Sequence, residues 1–186
     1  MVRVRLINIV ALGHRAIVGD ADGADSAVQR FLLENGARNV TVFCAGDKPR
    51  NNLGNWPVQA VTTYHSPGSR TYFTAKDIAM AESAKVGLLV WDAKSTGTLS
   101  NAIELLSRKK NALVFINKEK EFQKLTNVSD LELLITRMGE SSRLKADTKI
   151  GLFDRIETLR AREQAAEIVA KRTAKVADLD AFVEIV

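Results

Sequence analysis

Short apolar runs alternate with segments of helical period along most of this 186-residue chain. Nothing else in the sequence restricts the fold as much. A strand of continuous apolar residues needs cover on both faces, and helices placed between successive strands supply it, so the pattern reads as repeated βαβ units. Residues 15–19 (RAIVG) read as a strand. Residues 24–35 read as a helix, with Ala24, Val28, Phe31 and Leu32 on one face and Gly36 as its stop. Residues 40–44 give the next strand and residues 60–64 a short extended segment closed by the turn residues His65, Ser66, Pro67, Gly68 and Ser69. A helix over 71–84 follows, with Ile78, Ala81 and Ala84 turned inward. Residues 86–91 (VGLLVW) are apolar almost throughout, as expected of a central parallel strand covered on both faces.

The pattern continues with a helix over 98–108, a strand over 112–116 and a helix over 130–137. The remainder, to about residue 179, is helical and polar, and residues 182–186 (FVEIV) have strand character. Residues 2–10 admit two readings. VRVRLINIV alternates in part like a strand, whereas Leu6, Ile9 and Val10 with the Gly13 stop fit a helix. The fold class that follows is α/β: a Rossmann-like three-layer sandwich with a mostly parallel sheet, plus a helical C-terminal extension. The expected division is a ligand-binding domain over 1–138 and a helical arm over 139–186 that ends in a possible strand.

Composition narrows the setting. The chain is 46% hydrophobic and 26% charged, an ordinary globular balance. No apolar run approaches the roughly 18 residues of a membrane span, and no signal peptide is read at the start. The single cysteine, Cys44, has no partner for an internal disulfide, which fits a reducing, cytoplasmic setting. His14 and His65 share no metal-ligand spacing with Cys44, so no metal is expected, and no cofactor either. The net charge of +5 is concentrated over residues 145–175, where Lys and Arg interleave with Glu. A solvated helix accounts for this stretch, and nucleic-acid binding through it is possible but not favoured, because only Phe153 offers an aromatic face.

In open parallel sheets, ligands bind beyond the carboxyl ends of the strands. Three polar loops occupy that position. The first, residues 19–25 (GDADGAD), opens a helix; Gly19 and Gly23 permit close backbone approach, and Asp20 and Asp25 offer acceptors to ribose hydroxyls. Asp22 reads as a helix cap. The second, residues 91–98 (WDAKSTGT), presents hydroxyls from Ser95, Thr96 and Thr98, amides at Gly97 and the charge of Lys94 to a phosphate. It is not a Walker A loop, since the GxxxxGK[ST] spacing is absent. The third, residues 45–57, carries Lys48, Arg50, Asn51 and Asn52 and has the length of a lid. Lys76 and Asp77 begin a helix near the same edge.

The stretches IVGDADGADSAVQRFL, RNNLGNW and AKDIAMAESAKVGLLVWDAKSTGTLSNAIELL, spanning roughly residues 6–135, together resemble the SLOG superfamily. That group includes lonely-guy phosphoribohydrolases, the DNA-processing protein A family and nucleotide-sensor domains. The chain looks most similar to a bacterial branch with VGDA-G-D and WD-KS-GT motifs. The resemblance implies binding of a nucleotide or nucleotide-derived ligand. Lonely-guy enzymes start a helix with Arg-Lys-x-x-Met and carry a Gly-Gly-x-Gly-Thr-x-x-Glu loop, in which the Arg and Glu are catalytic. Aligned on Met80, Lys76 stands at the Arg position and Asp77 at the Lys position; aligned on Gly97 and Thr98, Asn101 stands where the Glu would be. An amide there supplies neither a base nor a nucleophile. Catalysis would then fall to Asp77 or Asp92 with Lys76 holding phosphate, while Asn101 remains a ligand contact.

The resemblance also implies a first strand, central in the family's sheet, ahead of the helix that matches residues 4–12. Three candidates stand for its place: residues ahead of a truncated start, a strand from a partner chain, and the strand-like FVEIV run. Three functions follow as expectations: a nucleotide-sensing binding module, an N-glycosidic bond hydrolase acting on nucleotides, and a single-stranded DNA binder. Homodimerisation is expected, because relatives pair through helices and Leu152, Ile156, Leu159, Glu163, Ala166 and Val169 fall on one helical stripe. Packing of that stripe on its own domain accounts for it equally well.

Overall fold

In the computed structural model, backbone is described for residues 1–180 and side-chain surroundings for residues 1–174. The FVEIV run lies outside the described residues. The order of elements is α1 (Val2–Ala11), β1 (Ala16–Gly19), α2 (Ala24–Glu34), β2 (Val40–Ala45), β3 (Val58–Val61), α3 (Arg70–Ser83) and β4 (Val86–Trp91). They are followed by α4 (Thr96–Ser107), β5 (Asn111–Ile116), β6 (Glu121–Leu125), α5 (Val128–Ile135), α6 (Glu140–Ile150) and α7 (Leu152–Asp180). The α/β alternation read from the sequence is therefore present, and residues 2–11 are helix. Gly13, at φ +64°, ends α1: its amide and that of His14 return to the carbonyls of Val10 and Ile9, a closure only a left-handed residue permits.

The strands form two three-stranded sheets, not one. β1, β2 and β3 are parallel, in that spatial order, with Val18 opposite Val42 and Cys44 opposite Ala60. β4 and β5 are parallel, with Leu89 opposite Val114, and β6 adds antiparallel at the far side. No main-chain hydrogen bond joins β1 to β4 among the described residues. A single helical layer nonetheless runs under both sheets, since α3 packs on β1, β2 and β3 as well as on α4, and α4 packs on β4 and β5.

The two halves differ in how they are filled. Under β4 and β5, Trp91, Ala112, Val114 and Ile116 meet Leu99, Ala102, Ile103 and Leu106 of α4 in one large apolar core. Leu131 and Leu134 of α5, Ala146 of α6, and Leu152, Ile156 and Leu159 of α7 belong to the same core. The segment after residue 138 thus packs into the body through its first half, and the predicted stripe on α7 is spent there up to Leu159. Beyond it, Ile168 and Val169 are exposed. The other half holds only Val18, Leu32, Val40, Val42 and Trp56 in a small cluster.

Three expectations need correction. Among the described residues β4 is not at the centre of a sheet: it pairs with β5 alone, and Val86 at its start is 63% exposed. Its apolar run has the composition of a central strand, but no described residue is hydrogen-bonded at its second edge. The hairpin from β5 into β6 was not expected; EFQKL is too polar to read as a strand, and Lys120, at φ +58°, makes the turn. The short extended segment lies earlier, at Val58–Val61, because β2 dictates its register.

Candidate functional site

α3 and α4 run side by side in the same direction, as the ion pair between Glu82 and Arg108 at their carboxyl-terminal ends shows. Their opposite ends therefore lie together, where Tyr72 of α3 donates to the carbonyl of Ala45 at the end of β2 and Lys76 meets Asp20 just beyond β1. The carboxyl ends of β1, β2 and β4 share that side of the molecule; the 19–25 and 45–57 loops meet there through Asp20 and Asn51, whereas the side chains of the 91–98 loop bond only within it and to Val90.

Lys76 is the centre; with Asp77 it lies about two turns into α3, which Ser69 caps ahead of Arg70, and not, as expected, at the start of a helix. Its side chain is 5% exposed, and its ammonium lies 3.0 Å from Asp77, 3.5 Å from Asp25 and 3.8 Å from Asp20. Burial disfavours the charge, yet the three carboxylates outweigh it and hold the Lys76 pKa above the ordinary lysine value. Asp20 is buried and engaged twice: Arg50 reaches both of its oxygens, at 3.1 and 2.7 Å, and the Arg50 main-chain amide adds a third bond at 3.0 Å. Burial alone would raise the Asp20 pKa, but these bonds to Arg50 take it below the ordinary carboxylate value. Of the two acceptors expected to face a ribose, Asp20 is thus already held by a guanidinium, while Asp25 contacts Lys76 and keeps 30% of its side chain exposed. That guanidinium stacks 4.2 Å from the Phe73 ring centroid, which fixes the residue 45–57 loop against α3.

Asp25 accepts from the Ala21 amide, while Asp77 contacts Lys76 and keeps 27% of its side chain exposed. Burial raises the Asp77 pKa, and Lys76 offsets this only in part. Gly19 is required for the cluster to form, since a Cβ there would collide with the Asp25 carboxylate and the Lys76 ammonium. Gly23 takes φ +82° and is itself the N-cap of α2, so Asp22 does not cap the helix; its carboxylate accepts from Asn51 instead. Gln29, which the sequence reading passed over, is wholly buried. It donates to the carbonyls of Gly19 and Asn51 and accepts from the Leu53 amide. A buried glutamine on an otherwise apolar helix face is the signal that could have found it. Asn52 serves the same loop, bonding the main chain of Trp56 at both ends of its amide.

The loop after β4 is organised by its own backbone. Asp92 accepts from the amides of Lys94 and Ser95, at 2.9 and 2.6 Å; these bonds outweigh the burial that would raise its pKa and hold it below the ordinary value. Ala93 is buried in the left-handed region at φ +61°, a conformation that costs an alanine and persists because Asp92 and the Trp91 indole, bonded to the Ser95 carbonyl, brace the turn. Ser95 caps α4 without a side-chain bond, Lys94 is exposed, and Gly97 has open space above it. Thr96 opens the helix and Thr98 turns its hydroxyl onto the Val90 carbonyl. Asn101, one turn on, carries a buried side-chain oxygen without a hydrogen-bond partner.

The structure therefore brings Gly19, Asp20, Asp25, Arg50, Lys76 and Asp77 into one cluster, and leaves Asn52 in a structural role. The basic arm is partly neutralised: Arg155 pairs with Glu104, Arg160 with Glu132 and Glu157, and Lys171 with Glu167. Among the described residues no group of acidic, histidine or cysteine side chains has the makings of a metal site, and no helix is long and apolar enough to cross a membrane. Fold and loop placement together define a Rossmann-like α/β protein. No family model, no curated protein and no solved structure matches the chain.

Proposed function

We propose that this protein binds a nucleotide or nucleotide-derived ligand across the carboxyl ends of β1 and β4, in the manner of a sensor-type SLOG domain. The observation that carries this reading is the unequal character of the two loops. The Asp20, Asp25, Lys76, Asp77 and Arg50 cluster holds three carboxylates against two cations, so its rim is net acidic and suits sugar hydroxyls. The start of α4 is the converse: Thr96 and Gly97 offer first-turn amides, Gly97 carries no side chain, and Lys94 stands exposed beside them, which suits phosphate. A ligand with both chemistries spans the two. The test is thermal stabilisation by a panel of nucleoside mono- and diphosphates and ADP-ribose derivatives. Saturation at about 100 times Kd should add roughly 2.7 kcal/mol of stability. Gly97→Asp should abolish the shift, and a panel that moves nothing would refute the proposal.

A second reading is favoured by Asp77 alone. A carboxyl that keeps its proton to higher pH than usual, partly exposed and beside a lysine, has the properties of a proton donor to a departing base. In N-glycosidic hydrolysis, water would add to the sugar carbon while the base leaves with the proton. Release of free base from nucleoside monophosphates, lost in Asp77→Asn, is the expected outcome; binding without release supports the sensor alone.

A further inference from the structure

Between β1 and β4 the molecule is open at two strand edges at once. Among the described residues β1 is paired only with β2 and β4 only with β5, so within them each has a row of amides and carbonyls without a strand partner. Free edges are normally short, charged or covered. β4 is none of these: VGLLVW has six residues and no charge, and Val86 to Val90 are exposed or half-buried.

The opening has a floor and a roof. On one side lie α3 and α4, with Ala81, Leu89 and Leu105 in or against the large core. On the other side α1 crosses from one half to the other. Val10 packs against the small cluster under β1, Arg3 lies over Phe31 of α2, and Arg5 lies over Phe122 of β6. Two strand edges with helices on either side offer a strand both hydrogen-bond partners and apolar cover.

We infer that this opening is filled by residues 181–186 (AFVEIV) of a second copy of the chain, giving a reciprocal, arm-exchanged dimer. The composition suits the place, since five of the six residues are apolar and β-branched or aromatic side chains dominate. In an extended strand Val183 and Ile185 share one face and Glu184 falls on the other. The apolar floor of α3 and α4 takes the first pair, and the side bearing Arg3 and Arg5 takes the glutamate.

The course of α7 requires the second copy. Arg155 is bound to Ser100 and Glu104 of α4, and five and eight residues on, Arg160 at Glu132 and Glu163 at the Val128 amide hold the helix to α5. The helix thus leads from α4 toward α5, which follows β6, the strand farthest from the opening. After Glu163, residues 164–174 are exposed apart from Ala166, and the helix runs on to Asp180, about 25 Å at 1.5 Å per residue. Six further residues span at most about 21 Å when extended, too little to turn back past the body to β4. The described part of α7 leads away from the opening as far as Asp180, which is where a partner's opening can be met.

The test uses the full chain. Light scattering should give a dimer, and Val183→Asp/Ile185→Asp should convert it to monomer, raising the dimer dissociation constant by at least about 100-fold, as expected for two buried charges without partners. Hydrogen exchange gives the second readout. The outward amides of Ala16–Gly19 and Val86–Trp91 should be protected in the wild-type dimer and exchange at least roughly tenfold faster in the variant, with β5 unchanged. A wild-type chain that is monomeric at tens of micromolar overturns the inference. So does a variant that remains dimeric, or one whose β1 and β4 exchange is unaltered.

Discussion

The halves on either side of the β1–β4 opening are built by different physics. The β4–β5–β6 half buries Trp91, Leu99, Val114, Leu131 and Leu134 almost completely and spends little on polar contacts in its interior. The β1–β2–β3 half buries few large side chains, and places Asp20, Gln29 and Lys76 where a core would otherwise be. Apolar packing tolerates rearrangement and has no direction, whereas a buried lysine with three carboxylates holds only in one geometry. The first half therefore supplies stability and the second supplies a defined arrangement of charge at the end of β1. The price of that arrangement is a half that opens more easily.

Trp91→Ala should have the largest effect, about 3–5 kcal/mol of stability by denaturant unfolding, because it empties the centre of the apolar half. A loss below about 1 kcal/mol would mean that this half is less well packed than described. Lys76→Met should cost roughly 3 kcal/mol, since it leaves Asp25 and Asp77 without their cation beside an Asp20 still held by Arg50. In hydrogen exchange its effect should be confined to β1 and β2, with β5 amides unchanged; uniform loss of protection would show that the two halves do not open separately.

The smallest effect is on pH dependence. Asp20 has a lowered pKa in the folded protein, so its contribution is present above the unfolded value and is lost as pH falls through the folded one. Asp77 has a raised pKa, so its contribution is full below the unfolded value and is lost as pH rises through the folded one. The two act on opposite sides of the unfolded carboxylate value, about pH 4. Asp77→Asn should thus remove a gain of stability that develops as pH falls toward about 4, while Asp20→Asn should flatten the loss below it. Lys76, with a raised pKa, adds a loss only on the alkaline side, above the ordinary lysine value.

Most of the fold was legible because strand and helix periods differ and Gly13 and Gly36 mark where helices stop. The loops were legible because they follow strands and open helices. What escaped was set by partners distant in sequence. Asp20 reads as a ligand acceptor until Arg50, thirty residues on, is seen to occupy it. Gln29 has no local pattern, since its three bonds go to Gly19, Asn51 and Leu53. β4 looks central because composition reports how apolar a strand is and says nothing of which neighbours are present.

α3 touches every strand of one half and lies along α4 of the other, with Lys76 at its middle and the Glu82–Arg108 pair near its end. Within the described residues of one chain no strand-to-strand bond crosses the opening, so in a lone copy α3 would act mechanically as a torsion bar between two plates, and α1 as a lighter tie on the opposite side. A ligand held at both the end of β1 and the start of α4 would load that bar at its free end. Twisting of the plates, rather than closure of a lid, is then the motion by which occupancy would be felt at the far end of the molecule.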